Sequence, residues 1–280
     1  MSAILPQLLS VEAPLQRRRI LLHFLEPTDC CRSSLLERLY EGTYDKPFII
    51  DRGPCRYLHF DLYGVQSAMN LRHPDRLSLA YTRKMMSFLL FQPAPRRILL
   101  LGLGGGSLAK FCYRGLPGTR ITAVEVNPQV IALRAAFHIP VDDDRFQVVC
   151  DDGAAYLARG GPVKDVILAD ACDSCGVSPE CDTLEFYRHI YRRLAAGGVF
   201  VGNLCVNSHD NAAQLHRICS VFGSDCVTLQ VKQDGNLIVL AFKAPRPIMD
   251  WDGLEVAALG LKKQFGLDFP RYVRRAQQRG

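Results

Sequence analysis

The sequence predicts an α/β protein with a seven-stranded, mostly parallel sheet that follows a small antiparallel β region. Three observations predict this fold. Between residues 96 and 243, short apolar runs alternate with segments of helical periodicity. Residues 97–106 join one apolar run directly to a cluster of glycines, as in a strand, a tight turn and a helix. Before residue 80, turn residues separate the strand-like pieces, which indicates hairpins.

The N-terminal region mixes strand-like pieces with turns. The pieces are residues 19–24, 47–51 and 56–61, and the Asp-Arg-Gly-Pro sequence at 51–54 is a turn signal. Residues 81–94 follow with apolar side chains at helical spacing, which predicts a helix that packs on the core.

The central region consists of predicted strands joined mainly by helices. The strands are expected near residues 97–102, 121–126, 146–151, 165–170, 198–204, 226–232 and 236–243. The helices are expected near residues 106–114, 127–137, 182–195 and 208–221. Gly197 and Gly198 are predicted to end the helix before the fifth strand, because glycine commonly follows the last turn of a helix.

These elements divide the chain into three parts. Residues 1–80 are expected to form an N-terminal region with a small β-hairpin domain, and residues 81–245 a catalytic α/β domain. Five strands joined by helices, followed by a closing hairpin, give the seven-stranded sheet. Residues 246–280 are expected to form a C-terminal helical appendage.

Composition excludes several classes of protein. With 280 residues, 48% hydrophobic and 22% charged, the chain reads as an ordinary globular protein. It contains no apolar run near the roughly 20 residues of a membrane span and no signal peptide, so we expect a cytoplasmic protein that does not bind membranes. The net charge of +6 comes partly from residues 17–19 and 271–279. Without interleaved aromatic residues, these arginines favour a solvated surface over an acidic partner, and no nucleic acid is expected.

The chain has eleven cysteines, and three of them share one predicted loop: Cys172, Cys175 and Cys181. A C-x2-C pair can ligate zinc, but no second pair or paired histidines follow at ligand spacing. Ordinary reduced thiols are therefore favoured over a redox-sensitive loop or a zinc site, and no metal is expected.

The glycine cluster predicts a nucleotide-binding βαβ unit. Gly102, Gly104 and Gly106 would let the backbone turn sharply and approach a ligand closely. Glu125 ends the next predicted strand, where an acid accepts hydrogen bonds from ribose hydroxyls. A purely structural turn is the alternative. The glycine spacing alone leaves a dinucleotide possible, since Ala109 satisfies the looser form of the motif when counted from Gly104.

Acidic residues distinguish between the possible cofactors. Asp151 and Asp152 follow the third strand, and Asp170 ends the fourth. Three strand ends that carry acids suit a sulfonium nucleoside, which offers ribose hydroxyls, an adenine amino group and a positive charge. This cofactor has no phosphate to repel, so an S-adenosylmethionine-type ligand is favoured over NAD.

Taken in order, these motifs resemble the spermidine synthase (polyamine aminopropyltransferase) family over roughly residues 45–243. The resemblance implies a small β domain before a Rossmann-like, methyltransferase-type domain. The family's signature loop is matched by residues 170–173, and its aromatic pair by Phe186 and Tyr187. The positions implied to bind the cofactor are Gln66, Gly102, Gly104, Gly105, Gly106, Glu125, Val126, Asp151, Asp152 and Gly153.

The resemblance also implies a reaction, in which an aminopropyl group passes from decarboxylated S-adenosylmethionine to a small-molecule amine. The protein mainly orients the amine and removes its proton. Asp170 is the implied base, and Asp173 the implied partner of the cationic amine or the adenosyl group. Tyr81 and Tyr187 join Asp173 as implied substrate contacts. The alternative is that both aspartates only cap the loop and the next helix.

Three segments depart from the family pattern. Gly105 stands where members have an aspartate, residues 81–84 are basic instead of acidic, and residues 232–235 replace part of the amine pocket. A neutral loop beside Arg83 and Lys84 would suit intact S-adenosylmethionine. A methyltransferase or 3-amino-3-carboxypropyltransferase therefore stays an alternative to the aminopropyltransferase, as does a non-catalytic nucleoside-binding protein. Pairing of β domains would allow a homodimer.

Overall fold

The computed structural model describes residues 8–15, 18–170, 172–173, 176–177, 179–205, 211–232 and 235–278. For residues 14–15, 18–19, 172–173 and 176–177 the description covers the backbone alone.

The N-terminal part is a five-stranded antiparallel sheet whose strands are neighbours in chain order. One helix follows its second strand. The elements are β1 (Leu9–Leu15), β2 (Arg18–Phe24), α1 (Arg32–Tyr40), β3 (Phe48–Arg52), β4 (Cys55–His59) and β5 (Val65–Asn70). The predicted pieces correspond to β2, β3 and β4. Helix α1 has no long apolar stripe, because only Leu35 and Leu39 are buried, and this explains why the sequence pattern did not reveal it.

The central part begins with a short helix and continues through the first half of the second sheet. Its elements are α2 (Ala80–Met85), a 3-10 helix (Met86–Leu90), β6 (Arg97–Leu101), α3 (Ser107–Gly115), β7 (Arg120–Glu125), α4 (Pro128–Ala132), β8 (Phe146–Cys150), α5 (Gly153–Ala158) and β9 (Lys164–Ala169). A two-stranded ribbon follows, β10 (Cys172–Asp173) with β11 (Gly176–Val177).

The remaining elements complete the sheet and add two helices. They are a 3-10 helix (Pro179–Asp182), α6 (Leu184–Arg193), β12 (Leu194–Leu204), α7 (Asn211–Phe222), β13 (Val227–Gln230), β14 (Leu237–Phe242), α8 (Trp251–Phe265) and α9 (Phe269–Gln277). The order of the sheet is β13-β14-β12-β9-β6-β7-β8, and β14 runs antiparallel to both of its neighbours. The predicted seven-stranded, mostly parallel sheet is therefore confirmed.

The N-terminal sheet is buried on both faces. One face packs under α1 through residues such as Phe24 and Phe48. On the other face, Ile49, Leu58 and Met69 join the core of the seven-stranded sheet. Strand β5 consequently lies against the part of the second sheet that carries the glycine cluster.

Two buried or half-buried cations hold the segment after α4. Arg56 donates to both oxygens of Asp51, at 2.8 and 2.6 Å, and to the carbonyl of Ala136 at 2.7 Å. Burial alone would raise the pKa of Asp51, but hydrogen bonds from Arg56 and His23 outweigh it and lower that pKa to about 2. Lys110 is fully buried and donates to the carbonyl oxygen of Phe137 at 2.6 Å.

Two expected helix boundaries were wrong. Helix α4 ends at Ala132 instead of continuing to residue 137, and the chain turns back through His138, whose φ is 55°. This turn places the segment against the glycine cluster, a tertiary contact that local propensity does not encode. Helix α6 ends at Arg193, while Gly197 lies inside β12 with a φ of 70°. The glycine serves a register shift between β12 and β9 and does not cap the helix.

Helices α8 and α9 contact each other, and both contact the 3-10 helix Met86–Leu90. Among the described residues, no helix has the combination of length and apolar character that crossing a membrane requires.

Candidate active site

The predicted site residues converge at one edge of the seven-stranded sheet. Strands β6, β7, β8 and β9 are parallel, so their carboxyl ends meet there. The amide of Asp170 donates to the carbonyl of Leu101 at 2.9 Å, and the amide of Asp151 donates to the carbonyl of Glu125 at 3.0 Å. The acids at three strand ends therefore lie along one edge of the sheet, the edge at which open α/β sheets bind their ligands.

The glycine loop between β6 and α3 uses three positive φ angles, 95° at Gly102, 50° at Gly104 and 66° at Gly106. Gly106 is the N-cap residue of α3. Residues that carry a side chain rarely adopt these φ angles, so the backbone conformation favours glycine at all three positions. Gly105 has no positive φ and is governed by a different constraint, its packing against Ser67.

Glu125 shapes this loop. One carboxylate oxygen accepts hydrogen bonds from the amides of Leu103 at 3.0 Å and Gly104 at 3.3 Å, and the other accepts from the amide of Asn127 at 3.0 Å. A carboxylate offers about four acceptor positions, so one remains for a hydroxyl group of a ligand. The side chain that was predicted to bind ribose thus holds the glycine loop in place.

The third strand end is built in a similar way. Asp152 is the N-cap of α5 and accepts from the amide of Ala155 at 2.7 Å through one oxygen, which leaves the other oxygen available. Asp151 forms an ion pair with Arg159. Gly153 opens α5. Val126 is 64% exposed, which leaves apolar surface beside Glu125 for a flat ring.

Asp170 is held by side chains from two other segments. The hydroxyl of Tyr81 in α2 donates to one of its oxygens at 3.1 Å, and the amide of Asn203 at the end of β12 donates to the other at 2.8 Å. Asp170 as a residue is half-buried at this edge of the sheet. Burial raises its pKa, and the two hydrogen bonds counteract part of that rise.

Two residues of this network were not among the predicted site residues. Asn236 donates to the side-chain oxygen of Asn203 at 3.0 Å, which leaves the amide of Asn203 directed at Asp170. Asn203 is buried near the carboxyl end of an otherwise apolar strand. A buried amide in that position is the sequence signal that would have identified it, because buried polar groups need partners.

The two cations that were expected to favour a carboxylate-bearing cofactor donate to backbone oxygens. Arg83 donates to the carbonyls of Leu77 at 3.0 Å and Ser78 at 2.8 Å. Lys84 is buried and donates to the carbonyl of Gln230 at 2.7 Å. Their ammonium and guanidinium groups thus have protein acceptors of their own.

Tyr187 and Gln66 occupy different surroundings. Tyr187 is 2% exposed, and its hydroxyl hydrogen-bonds to Asp182 at 3.0 Å and to Gln214 at 3.1 Å, on the far side of β12 from Tyr81. Gln66 lies half-buried in β5.

Several further expectations concern the loop after β9. The backbone of Cys172 and Asp173 belongs to the small ribbon, while the Asp173 side chain and Cys175 lie outside what the structure describes. Cys181 is a buried free thiol, and burial first and then Asp152 and Glu180 raise its pKa to about 11. Within the described ranges, no three His, Cys, Asp or Glu side chains cluster as metal ligands.

Comparison with known proteins adds the following relatives. The family model of the spermine/spermidine synthase domain matches residues 78–231. The polyamine aminopropyltransferase of Chromobacterium violaceum is 37% identical over 231 residues, which cover 82% of this chain and 88% of that protein. A spermidine synthase in complex with the transition state analogue AdoDATO has a TM-score of 0.59 at 20% identity, covering 80% of this chain and 86% of that one.

A second solved structure has the same fold. Human methyltransferase-like protein 13 in complex with SAH has a TM-score of 0.61 at 24% identity, covering 67% of this chain and 93% of that one. The two structures confirm the predicted methyltransferase-type sheet.

Proposed function

The chain belongs to the spermine/spermidine synthase family, and from this membership we propose that it is an aminopropyltransferase, which moves the aminopropyl group of decarboxylated S-adenosylmethionine to a small amine. The observation that carries the proposal is the Asp170 carboxyl group, held between Tyr81 and Asn203 beside the glycine loop. The relatives do not favour methyl or 3-amino-3-carboxypropyl transfer.

The reaction is a displacement at carbon. The amine nitrogen attacks the carbon bonded to the sulfonium, and a C–N bond forms as the C–S bond breaks. The electron pair of that bond stays on sulfur, which leaves the neutral thioether 5′-methylthioadenosine. The nitrogen becomes cationic and releases a proton. The positive charge on sulfur already activates the attached carbon for attack. The protein therefore has to orient the amine toward that carbon and remove the proton from the amine.

Asp170 is suited to accept that proton. Its raised pKa makes the carboxylate more basic than a carboxylate in water. Tyr81 and Asn203 each use one acceptor position on its oxygens. Since a carboxylate has about four such positions, the amine can hydrogen-bond to those that remain.

The cofactor half of the site is proposed to bind the nucleoside. Glu125 would accept from a ribose hydroxyl through its remaining acceptor position, and the free oxygen of Asp152 from the adenine amino group. Val126 would pack on the adenine ring. The glycines at 102, 104, 105 and 106, with Gln66, Asp151 and Gly153, complete the proposed cofactor set.

The other features expected from the sequence stay proposals. Asp173 and Tyr187 are assigned to the amine acceptor only by the family resemblance. The three-part division of the chain, the homodimer, the cytoplasmic location and the independence from metal also stay predictions.

The test is a screen of small amines with decarboxylated and then with intact S-adenosylmethionine, in which the thioether product is scored. The proposed function predicts that 5′-methylthioadenosine forms from the decarboxylated cofactor when one of the diamines or triamines in the screen is present. Thioether formed only from the intact cofactor would contradict it and would establish methyl or carboxypropyl transfer instead. The matched control is the Asp170→Asn variant, which should bind the thioether while it turns over far more slowly.

A further inference from the structure

Ser67 in β5 fills the space that a side chain at position 105 would occupy. A Cβ atom built on Gly105 would lie 2.6 Å from the hydroxyl oxygen of Ser67, 2.9 Å from its Cβ and 3.0 Å from Cδ1 of Phe137. The first two distances are shorter than real Cβ contacts. Ser67 is 6% exposed in the core of the interface between the two sheets, so it has little freedom to move away.

The φ angle does not require glycine at this position, because Gly105 lacks the positive φ of its neighbours Gly104 and Gly106. Packing against Ser67 and Phe137 is therefore the constraint that keeps position 105 free of a side chain.

The result is a neutral corner beside the glycine loop, defined here by Ser67, Gly105 and Ser107. The hydroxyl oxygens of Ser67 and Ser107 lie 3.3 Å apart, and that of Ser107 donates to the carbonyl of Ala68 at 3.4 Å. The first turn of α3 contains no acid. Glu125, which lies at the same loop, already accepts from two of the loop amides.

With the nucleoside bound as the proposed function has it, the neutral corner lies beside the path of the transferred arm. Glu125, at the proposed ribose position, bonds to the loop amides of Leu103 and Gly104, and Asp170 bonds to the backbone of Leu101 at the start of the same loop. A nucleoside that reaches from Glu125 to Asp170 must cross residues 102–105. An ammonium group on its arm would meet hydroxyl groups there and no carboxylate from position 105.

We propose that Ser67 is a specificity-determining residue: it excludes a side chain from position 105, keeps the corner neutral, and so allows S-adenosyl nucleosides with and without the arm's carboxylate to bind with similar affinity. This inference rests on the proposed function, which places an S-adenosyl nucleoside in the site. A carboxylate at position 105 would attract the ammonium and repel a carboxylate on the arm, whereas hydroxyl groups accept both.

The experiment measures calorimetric affinities of the full chain for three thioethers. 5′-Methylthioadenosine has no charged arm, decarboxylated S-adenosylhomocysteine has an ammonium alone, and S-adenosylhomocysteine has an ammonium and a carboxylate. For the wild type, we expect the dissociation constants of the last two to agree within about 10-fold. The double variant Ser67→Gly, Gly105→Asp makes room for an acid, and we expect a gain of about 10- to 100-fold in preference for the ammonium-only ligand.

Two single variants separate volume from hydroxyl chemistry. Ser67→Ala keeps the Cβ that lies 2.9 Å from the blocked position, so the affinity ratio should stay as in the wild type. Gly105→Asp alone should weaken binding of all three ligands, because the aspartate displaces the loop.

Three results would overturn the inference. The first is a wild-type preference above about 100-fold for the ammonium-only thioether. The second is a Ser67→Ala variant whose ratio shifts as far as that of the double variant. If the double variant does not fold, the affinity ratios of the wild type and of Ser67→Ala still test the inference. The third is a folded wild type that binds none of the three thioethers, which would contradict the proposed function itself and remove the inference with it.

Discussion

The candidate site has two proposed halves, a cofactor half around Glu125 and Asp152 and an acceptor half around Asp170, and different kinds of contact hold them. In the cofactor half, the acids accept hydrogen bonds from backbone amides, as Glu125 does from the glycine loop and Asp152 does from the first turn of α5. In the acceptor half, Asp170 is fixed by side chains, the hydroxyl of Tyr81 and the amide of Asn203. Changes in the first half should therefore disturb the fold of a loop, while changes in the second should alter chemistry within an intact frame.

The largest expected effect tests the acceptor half. Asp170→Asn keeps the size of the side chain but cannot take the amine proton, so we expect kcat to fall by roughly 10²–10⁴-fold with thioether affinity nearly unchanged. Single-turnover kinetics and calorimetry provide the two readouts. A variant that retains full turnover would exclude Asp170 as the base, although the fold and the family of the chain would be unaffected by that result.

The next prediction concerns Glu125 in the cofactor half. Glu125→Ala removes a charged acceptor, so the thioether should bind more weakly by about 1.5–3 kcal/mol, the usual range for such a hydrogen bond. Because three backbone amides also lose their acceptor, two in the glycine loop and that of Asn127, the melting temperature should fall as well, unlike that of Asp170→Asn. Glu125→Gln is the matched control and should retain part of the stability. Unchanged affinity in a folded Glu125→Ala variant would remove this residue from the site.

A smaller effect is expected at Asn203, a positioning residue for Asp170. Its hydrogen bond lowers the pKa of the carboxyl group, so Asn203→Ala should raise that pKa further. The acidic limb of the kcat profile should shift to higher pH, and activity lost near neutrality should return as the pH rises. A uniform loss of rate at every pH would indicate a purely structural role. Asn236→Ala should shift the limb in the same direction by less, since it acts through Asn203.

The smallest effect concerns stability. The pKa of Asp170 is raised in the folded protein, so its contribution to stability is present below the pKa of the unfolded chain and is lost as pH rises through the folded value. Asp170→Asn removes this dependence. Denaturant titrations should find the variant at least as stable as the wild type at pH 8, with the advantage declining toward pH 4. A variant that loses stability with rising pH as the wild type does would show that the carboxyl group is not the source.

The comparison also explains which features the sequence could predict. The glycine loop and Glu125 follow from residue spacing, because short-range backbone geometry builds the cofactor half. Asp170 was identified by its place in the strand order. Asn203 and Asn236 were missed, since they lie more than 30 residues from Asp170 in the chain and meet it only when β12 and β14 pair in the sheet.

Local patterns failed wherever a tertiary contact overrides them. The apolar, alanine-rich segment after Asn127 suggests a longer helix, yet α4 stops at Ala132 so that the chain can return to the glycine loop. Gly197 resembles a helix cap and instead forms a bulge in β12. Ser67 gave no signal at all, because a serine in a short strand acquires meaning only from the backbone packed against it.

Ser67 lies outside the segment that the family model matches, which begins at residue 78. The residue that restricts which side chains fit at position 105 thus belongs to a different stretch of sequence from the glycine loop. If a glycine loop with a side chain at position 105 were transferred from a relative without its own β5, that side chain would clash with Ser67. We therefore expect a side chain at position 105 to require a paired substitution at position 67, and an alignment of the matched segment alone would record only one member of that pair.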